Sequence, residues 1–260
     1  MTFTFLGTGT SQGVPIIGCG CEVCASTDPR DQRLRTSLLI SHEGRNVVID
    51  AGPDFRQQML RAGVKRLDAV VLTHEHNDHI IGLDDVRPFN FLQDRHMPLY
   101  GTGSVLVEVK QRFAYIFAKN PYPGAPMIDP VEISKETPFE VADIPFTPIE
   151  VMHGGLPVLG FRIGDFAYIT DMKTISDAEK SKLDGVRTLV LNALHLEWHH
   201  SHLNLEEALD FIETIKPEQA WLTHISHRMG LQKQRSKQLP NGVGLAWDGM
   251  VVGQDGLCIG

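Results

Sequence analysis

The sequence predicts an α/β (α+β) layered fold in which two β-sheets pack face to face and helices cover their outer sides. Two observations point to it: strand-like and helix-like segments alternate along the chain, and the second half repeats the grammar of the first. With 260 residues, 42% of them hydrophobic, the chain can bury a sizeable core, and residues 1–260 are taken as one layered domain.

The elements follow in order. "TFTFL" alternates as a strand and runs into the loop "GTGTSQGVP", rich in glycine and hydroxyl residues. "TSLLISHEGRNVVID" pairs two apolar runs around "EGRN" and is expected to be a hairpin. "FRQQMLRAG" is a short amphipathic helix closed by Gly63, and "LDAVVLTH" is a buried strand running to His74. "SVLVEVKQRF" is predicted helical. "NPYPGAPMIDP" carries four prolines, so it is expected to be irregular surface loop. In the second half "FTPIEVMH", "VLGFRIG", "FAYITD", "RTLVLNA" and "QAWLTH" are strands. "NLEEALDFIETIKP" is a helix with Asn204 as N-cap and Pro217 beyond its end.

Composition narrows the function. The formal charge of −8 argues against nonspecific nucleic-acid binding, which relies on lysine and arginine to neutralise phosphates. No apolar run reaches the roughly 20 residues of a membrane span, and the N-terminus has neither the basic start nor the apolar stretch of a signal peptide. The expected location is therefore cytoplasmic. Thiols stay reduced there, so Cys19, Cys21 and Cys24, three of the four cysteines within "GCGCEVC", are expected to bind metal or react rather than form a disulfide. Gly7, Gly9 and Gly13 are spaced one residue too widely for a dinucleotide-binding turn.

The chemistry concentrates in histidine and aspartate at presumed strand ends: His74, His153, Asp171 and His224. Rigid strands can hold such side chains convergent at one rim. "THEHNDH" adds His76, Asp78 and His79 within a span too short to be an amphipathic core element. Histidine nitrogen and carboxylate oxygen suit zinc, manganese or iron, and a cluster this dense can serve two adjacent ions. Two such ions about 3.5 to 4 Å apart can hold a bridging hydroxide as nucleophile and stabilise charge developing on a phosphoryl or carbonyl oxygen.

With its His-x-His-x-Asp-His motif and a later histidine, aspartate and histidine at strand ends, the chain resembles the metallo-beta-lactamase superfamily over most of its length. The resemblance implies a four-layer αββα sandwich. It also implies that His74, His76 and His153 hold one divalent ion, Asp78, His79 and His224 the other, with Asp171 bridging them. Glu75 is then an interposed residue. Iron-binding oxidoreductase members usually carry an acidic residue in place of His76, so the motif favours hydrolase chemistry. Asp50, after "VVID", would orient a ligand histidine. His202 in "HLEWHHSHLNLEEAL" matches the histidine that similar phosphodiesterases and transfer-RNA 3'-processing endonucleases use near the scissile phosphate, with His200 in reserve. His202, Asp78 and Asp50 are thus the expected catalytic residues.

"GTGTSQGVP", "GCGCEVC" and "LTHISH" together are similar to the phosphoribosyl 1,2-cyclic phosphate phosphodiesterase subfamily. That likeness implies a structural zinc on Cys19, Cys21, Cys24 and His227. Cys258 is the rival fourth ligand, in an apolar stretch suited to a buried thiol. The expected substrate is a small cyclic or linear phosphodiester, phosphoribosyl 1,2-cyclic phosphate and cyclic nucleotides among them. The expected assembly is a homodimer, as is common among relatives. The alternatives are an RNA 3'-processing nuclease, disfavoured by the charge and by the lack of a long basic, glycine-rich arm, and a non-catalytic metal-binding protein. Residues 112–130, with Tyr115, Lys119 and Tyr122, fit a lid or a packing loop equally well.

Overall fold

Side chains pointing alternately to opposite faces of each strand divide this computed structural model, which describes residues 1–259, into four layers. The first half contains β1 (Thr2–Gly7), β2 (Ser37–His42), β3 (Arg45–Ile49), α1 (Phe55–Arg61), β4 (Ala69–Val71), α2 (Asn77–Ile80), α3 (Arg87–Gln93), β5 (Met97–Gly101), α4 (Gly103–Arg112) and β6 (Ile128–Glu132). The second contains β7 (Phe139–Val141), β8 (Ile144–His153), β9 (Leu156–Ile163), β10 (Phe166–Ile169), α5 (Asp177–Lys180), β11 (Thr188–Asn192), α6 (Leu205–Ile215), β12 (Gln219–Thr223), α7 (Gln232–Arg235), β13 (Val243–Leu245) and β14 (Val251–Gly253).

One seven-stranded sheet runs β14-β1-β2-β3-β4-β5-β6 and the other β13-β12-β11-β10-β9-β8-β7. Each combines antiparallel pairs with parallel ones: β1 to β3 are antiparallel and β3 to β6 parallel, while β7 to β10 are antiparallel and β10 to β13 parallel. This is the predicted αββα sandwich. In β2, Leu38 and Ile40 face the other sheet while Leu39 faces the helices, and β3 repeats the pattern with Val47 and Ile49 inside and Val48 outside. Between the sheets the Phe3 and Phe166 rings stack with centroids 3.6 Å apart. Truncating such a fully buried phenylalanine to alanine costs about 3–5 kcal/mol.

Several expectations need adjustment. The hairpin turn is only Glu43 and Gly44, both at positive φ, because Arg45 and Asn46 already pair with His42 and Ser41. β4 stops at Val71, three residues short of His74, so that candidate ligand stands on a loop. "MIDP" is not wholly irregular: β6 includes Pro130, which the sheet tolerates because β6 is an edge strand. The α6 expectation holds, since Asn204 Oδ1 accepts from Glu207 N at 2.9 Å and Glu207 Oε2 accepts from Asn204 N at 3.0 Å, a reciprocal cap. Glu207 also takes Lys173 Nζ at 2.6 and 2.8 Å, tying the helix to the segment after Asp171. Among the described residues no helix is long and apolar enough to cross a membrane.

Candidate metal centre

The ligand-type residues converge at one rim, where loops leaving both sheets meet. His74, His76, Asp78 and His79 come from the loop after β4 and from α2, His153 ends β8, and Asp171 and His224 follow β10 and β12. Asp50, Asp171 and His224 all hold positive φ, at 64°, 57° and 54°. Non-glycine residues pay for that conformation, and it turns each chain sharply at its strand end, as functional sites often require. The loops are also pressed together. A Cβ added to Gly52 would lie 2.0 Å from Asp78 O, and one added to Gly82 would lie 2.0 Å from Gly52 O, so only glycine permits this approach.

Hydrogen bonds select which imidazole nitrogen faces inward. Asp50, fully buried, accepts from Thr73 N and Thr73 Oγ1 at 2.8 Å each and from His79 Nδ1 at 2.7 Å. Thr73 Oγ1 thus spends its proton on Asp50 and accepts from His74 Nδ1 at 2.9 Å. His153 Nδ1 donates to Ser201 O at 2.8 Å. In each case Nε2 is the nitrogen turned inward, the orientation ligating histidines need. Inside the rim, His79 Nε2 lies 3.3 Å from Asp78 Oδ2 and 3.4 Å from Asp171 Oδ2, and His224 Nε2 lies 3.1 Å from Asp171 Oδ1. His74 Nε2 and His76 Nδ1 are 3.0 Å apart, and the His76 and His153 rings are 5.2 Å apart.

Electrostatics match a site built for cations. Burial opposes ionisation of Asp78 and Asp171, yet the surrounding histidines, His79 first for Asp78 and His224 first for Asp171, hold both well below the usual carboxylate range. Burial, reinforced by neighbouring imidazoles, pushes His74 and His76 down, so they are neutral donors. His79 is also opposed by burial, but Asp50, Asp171 and Asp78 carry it upward.

A divalent metal fits these residues. Buried His224 Nδ1 has no hydrogen-bond partner, while His224 Nε2 and His202 Nδ1 face Asp171 Oδ1 at 3.1 and 3.6 Å without a well-formed hydrogen bond, and buried polar atoms left so ask for a ligand. Groups able to share an ion include His74, His79 and Asp171, then Asp78, His79 and His224, and also His153, Asp171 and His202. His202 thus stands inside the cluster, 3.6 Å from Asp171 Oδ1, with its ring 4.7 Å from that of His224. Burial, and then His224, lower its pKa to about 2. It is a neutral imidazole here, and carrying a proton would need the added negative charge of a phosphate. The reserve candidate His200 is exposed, its ring tilted against that of His199 with centroids 4.4 Å apart.

A second cluster lies beside the first. Cys19, Cys21 and Cys24 place their sulfurs 3.4, 3.3 and 3.5 Å from His227 Nδ1, a Cys₃His donor set. The Cys24 backbone N–H, at 3.4 Å, is the largest influence lowering Cys21 to about 6, whereas burial raises Cys24 to about 11. Cys258 does not join them. It is exposed rather than buried, because its segment runs along the sheet edge and bridges to Val252 of β14. Thr73 and Ser201, which fix two of the candidate ligand histidines, are not legible in the sequence, since a hydroxyl or carbonyl partner carries no motif. Arg112 likewise binds Glu75 O and Asn77 Oδ1, holding the C-terminal end of α4 against the metal-type motif, while Tyr115 and Tyr122 stack on each other at 6.0 Å.

Fold and rim together define the class of metallo-beta-lactamase-fold proteins. The chain belongs to the beta-lactamase superfamily: the model described as a beta-lactamase superfamily domain matches residues 45–225, more than half of it. It is similar to a diphosphatase of the PhnP family, 40% identical with a TM-score of 0.90, the match covering 97% of each chain. It shares the fold of zinc-bound PqqB from Methylobacterium extorquens, 20% identical with a TM-score of 0.80 over 97% of this chain and all of that one (100%). In sequence it is 44% identical over 252 residues to an octanoyltransferase of Porphyromonas gingivalis, which is 96% of this chain but only 51% of that protein. The chain therefore spans about half the length of this curated relative, and less of others.

Proposed function

We propose that the chain is a metal-dependent hydrolase of small phosphodiesters, cyclic or linear, phosphoribosyl 1,2-cyclic phosphate and cyclic nucleotides being candidate substrates. The observation that carries this reading is the convergence of five histidines and two aspartates at one rim, with buried histidine nitrogens that make no well-formed hydrogen bond. His74, His76 and His153 would hold one ion, Asp78, His79 and His224 another, with Asp171 between them. Zinc or manganese, or iron, suits these donors, and zinc suits Cys19, Cys21, Cys24 and His227. Bound there, divalent ions supply Lewis acidity at a phosphoryl oxygen and acidify water.

The chain's own residues do the rest. Asp50 and Thr73 fix the tautomers of His79 and His74, and Ser201 O fixes His153. His202, raised by a phosphate charge beside it, protonates the departing oxygen. A second reading has support in the diphosphatase likeness: the same rim would cleave a diphosphate, whose phosphate leaving group needs less protonation. Octanoyl transfer names a protein of which about half lies outside the match, and it is an activity to assay alongside.

The test is a panel on metal-loaded protein: phosphoribosyl 1,2-cyclic phosphate, cyclic nucleotides, bis(p-nitrophenyl) phosphate, a nucleoside diphosphate, RNA, a beta-lactam and an octanoyl thioester. Diester turnover is expected, and its absence with two equivalents of metal at the rim would overturn the proposal. His202→Ala should slow alkyl leaving groups by about 10²–10⁴-fold while affecting p-nitrophenolate far less. Equal losses on both would move the acid role to His200.

A further inference from the structure

His74, His79 and His153 each have a partner that sets the ring: Thr73 Oγ1, the Asp50 carboxylate and Ser201 O. His224 has none, but it is fully packed at 1% exposure. His76 has neither support. It is exposed, and among the described residues its ring meets only other rim imidazoles, Nδ1 lying 3.0 Å from His74 Nε2 and the ring 5.2 Å from that of His153. The nitrogen it turns inward, Nδ1, is one bond nearer the main chain than Nε2. Where that nitrogen stands therefore follows the backbone at residues 75–77 closely.

That stretch of backbone is gripped from a single point. Arg112, the last residue of α4, donates from Nη1 to Glu75 O and, at 3.0 Å, to Asn77 Oδ1, so it holds the residues on either side of His76. Among the described residues no main-chain N–H reaches Glu75 O, which leaves the guanidinium as that carbonyl's partner. Nη2 donates to Glu108 Oε2 at 3.3 Å, one turn back along α4, which aims the guanidinium and offsets its charge. The support is firm, because Val105, Leu106 and Val109 bury one face of α4 in the apolar layer between the first sheet and its helices.

We propose that Arg112 is the positioning residue for His76, doing through the main chain what Asp50 and Ser201 O do through ring nitrogens for their own histidines. The inference rests on the reading of His76 as a metal ligand and not on which bond is cleaved. With its side chain 31% exposed, the Arg112–Glu108 pair adds little to the stability of the fold, so an effect on the metal is separable from one on folding.

Cobalt-loaded protein challenged with a graded chelator tests this, the rim ions being read from their visible ligand-field bands and the cysteine cluster from its thiolate charge-transfer band. Arg112→Ala should release one rim ion at about tenfold lower chelator and alter its ligand-field spectrum, with the thiolate band released as in wild type. Arg112→Lys should restore most of the affinity, because one ammonium can donate both bonds that Nη1 makes. Glu108→Gln leaves both of those bonds available and should cost less than Arg112→Ala. A wild-type release curve for Arg112→Ala would overturn the proposal. So would tighter binding, which would make the guanidinium a mere repulsive charge, and so would equal loss from both clusters, which would make it a general prop of the fold. Wild-type protein that takes up no cobalt at the rim would overturn the metal reading and this proposal with it, and the wild-type curve alone shows which of the two has failed.

Discussion

Replacing Asp50 by Asn isolates the contribution of one buried charge to the candidate metal centre. The backbone at 50 has φ of 64°, which asparagine tolerates well, so the substitution adds little strain. The carboxylate accepts three hydrogen bonds at 2.7–2.8 Å, from Thr73 N, Thr73 Oγ1 and His79 Nδ1. An amide cannot accept all of them. With its oxygen toward Thr73 Oγ1 and His79, its NH₂ confronts Thr73 N–H; flipped, it confronts His79 Nδ1–H and drives the proton to Nε2, the atom that must face the metal. Either way one buried donor is stranded, at about 1–3 kcal/mol. Losing the partner of a ligating histidine typically costs about 10–100-fold in metal affinity, or about 1.4–2.7 kcal/mol, so the two estimates agree. Competition with a graded chelator reads the affinity, and thermal unfolding of metal-free protein reads the fold. Asp50→Asn should release rim metal at lower chelator and leave zinc on the cysteine cluster untouched. An unchanged rim-metal curve, or equal loss from both clusters, would refute the reasoning.

His227→Ala should remove one equivalent of zinc and lower the melting temperature, with the rim metals retained; if Cys258→Ala does this instead, the fourth ligand is misassigned. Metal-free protein should lose stability as pH falls. His202, His74 and His76 are depressed by burial, so below about pH 6.5 the unfolded chain takes up protons that the folded chain refuses, down to about 2 for His202. Asp78 and Asp171 act in the same direction but only below the usual carboxylate range. His79 and Asp50, both raised, oppose this by losing their contributions as pH rises. A melting temperature that is flat or rising from pH 7 to 5 would contradict the balance.

The sequence was informative where chemistry is local. "THEHNDH" exposed four donors at once, and His153, Asp171 and His224 were visible because each sits at or just beyond a strand of alternating apolar residues. Cys19, Cys21, Cys24 and His227 were linked across more than 200 residues through resemblance, since spacing alone gave no partner for the cysteines. What stayed hidden depends on distant backbone: Ser201 O selects the His153 nitrogen, and Gly52 matters because Asp78 O passes against it. Pro130 misled for a related reason. A proline forbids a central strand, and only the sheet order reveals that β6 has a free edge.

The rim is assembled from both halves of the sandwich, with His74, His76, Asp78 and His79 supplied by one sheet and His153, Asp171 and His224 by the other. The sets His74, His79, Asp171 and Asp78, His79, His224 each draw on both halves, whereas His153, Asp171 and His202 come from the second alone. At the two mixed sets an ion would be gripped only once the halves have docked in their native pairing, so metal captured there would work as a coincidence detector and stamp correct assembly. A chelator would then act on the seam between the sheets as well as on the chemistry.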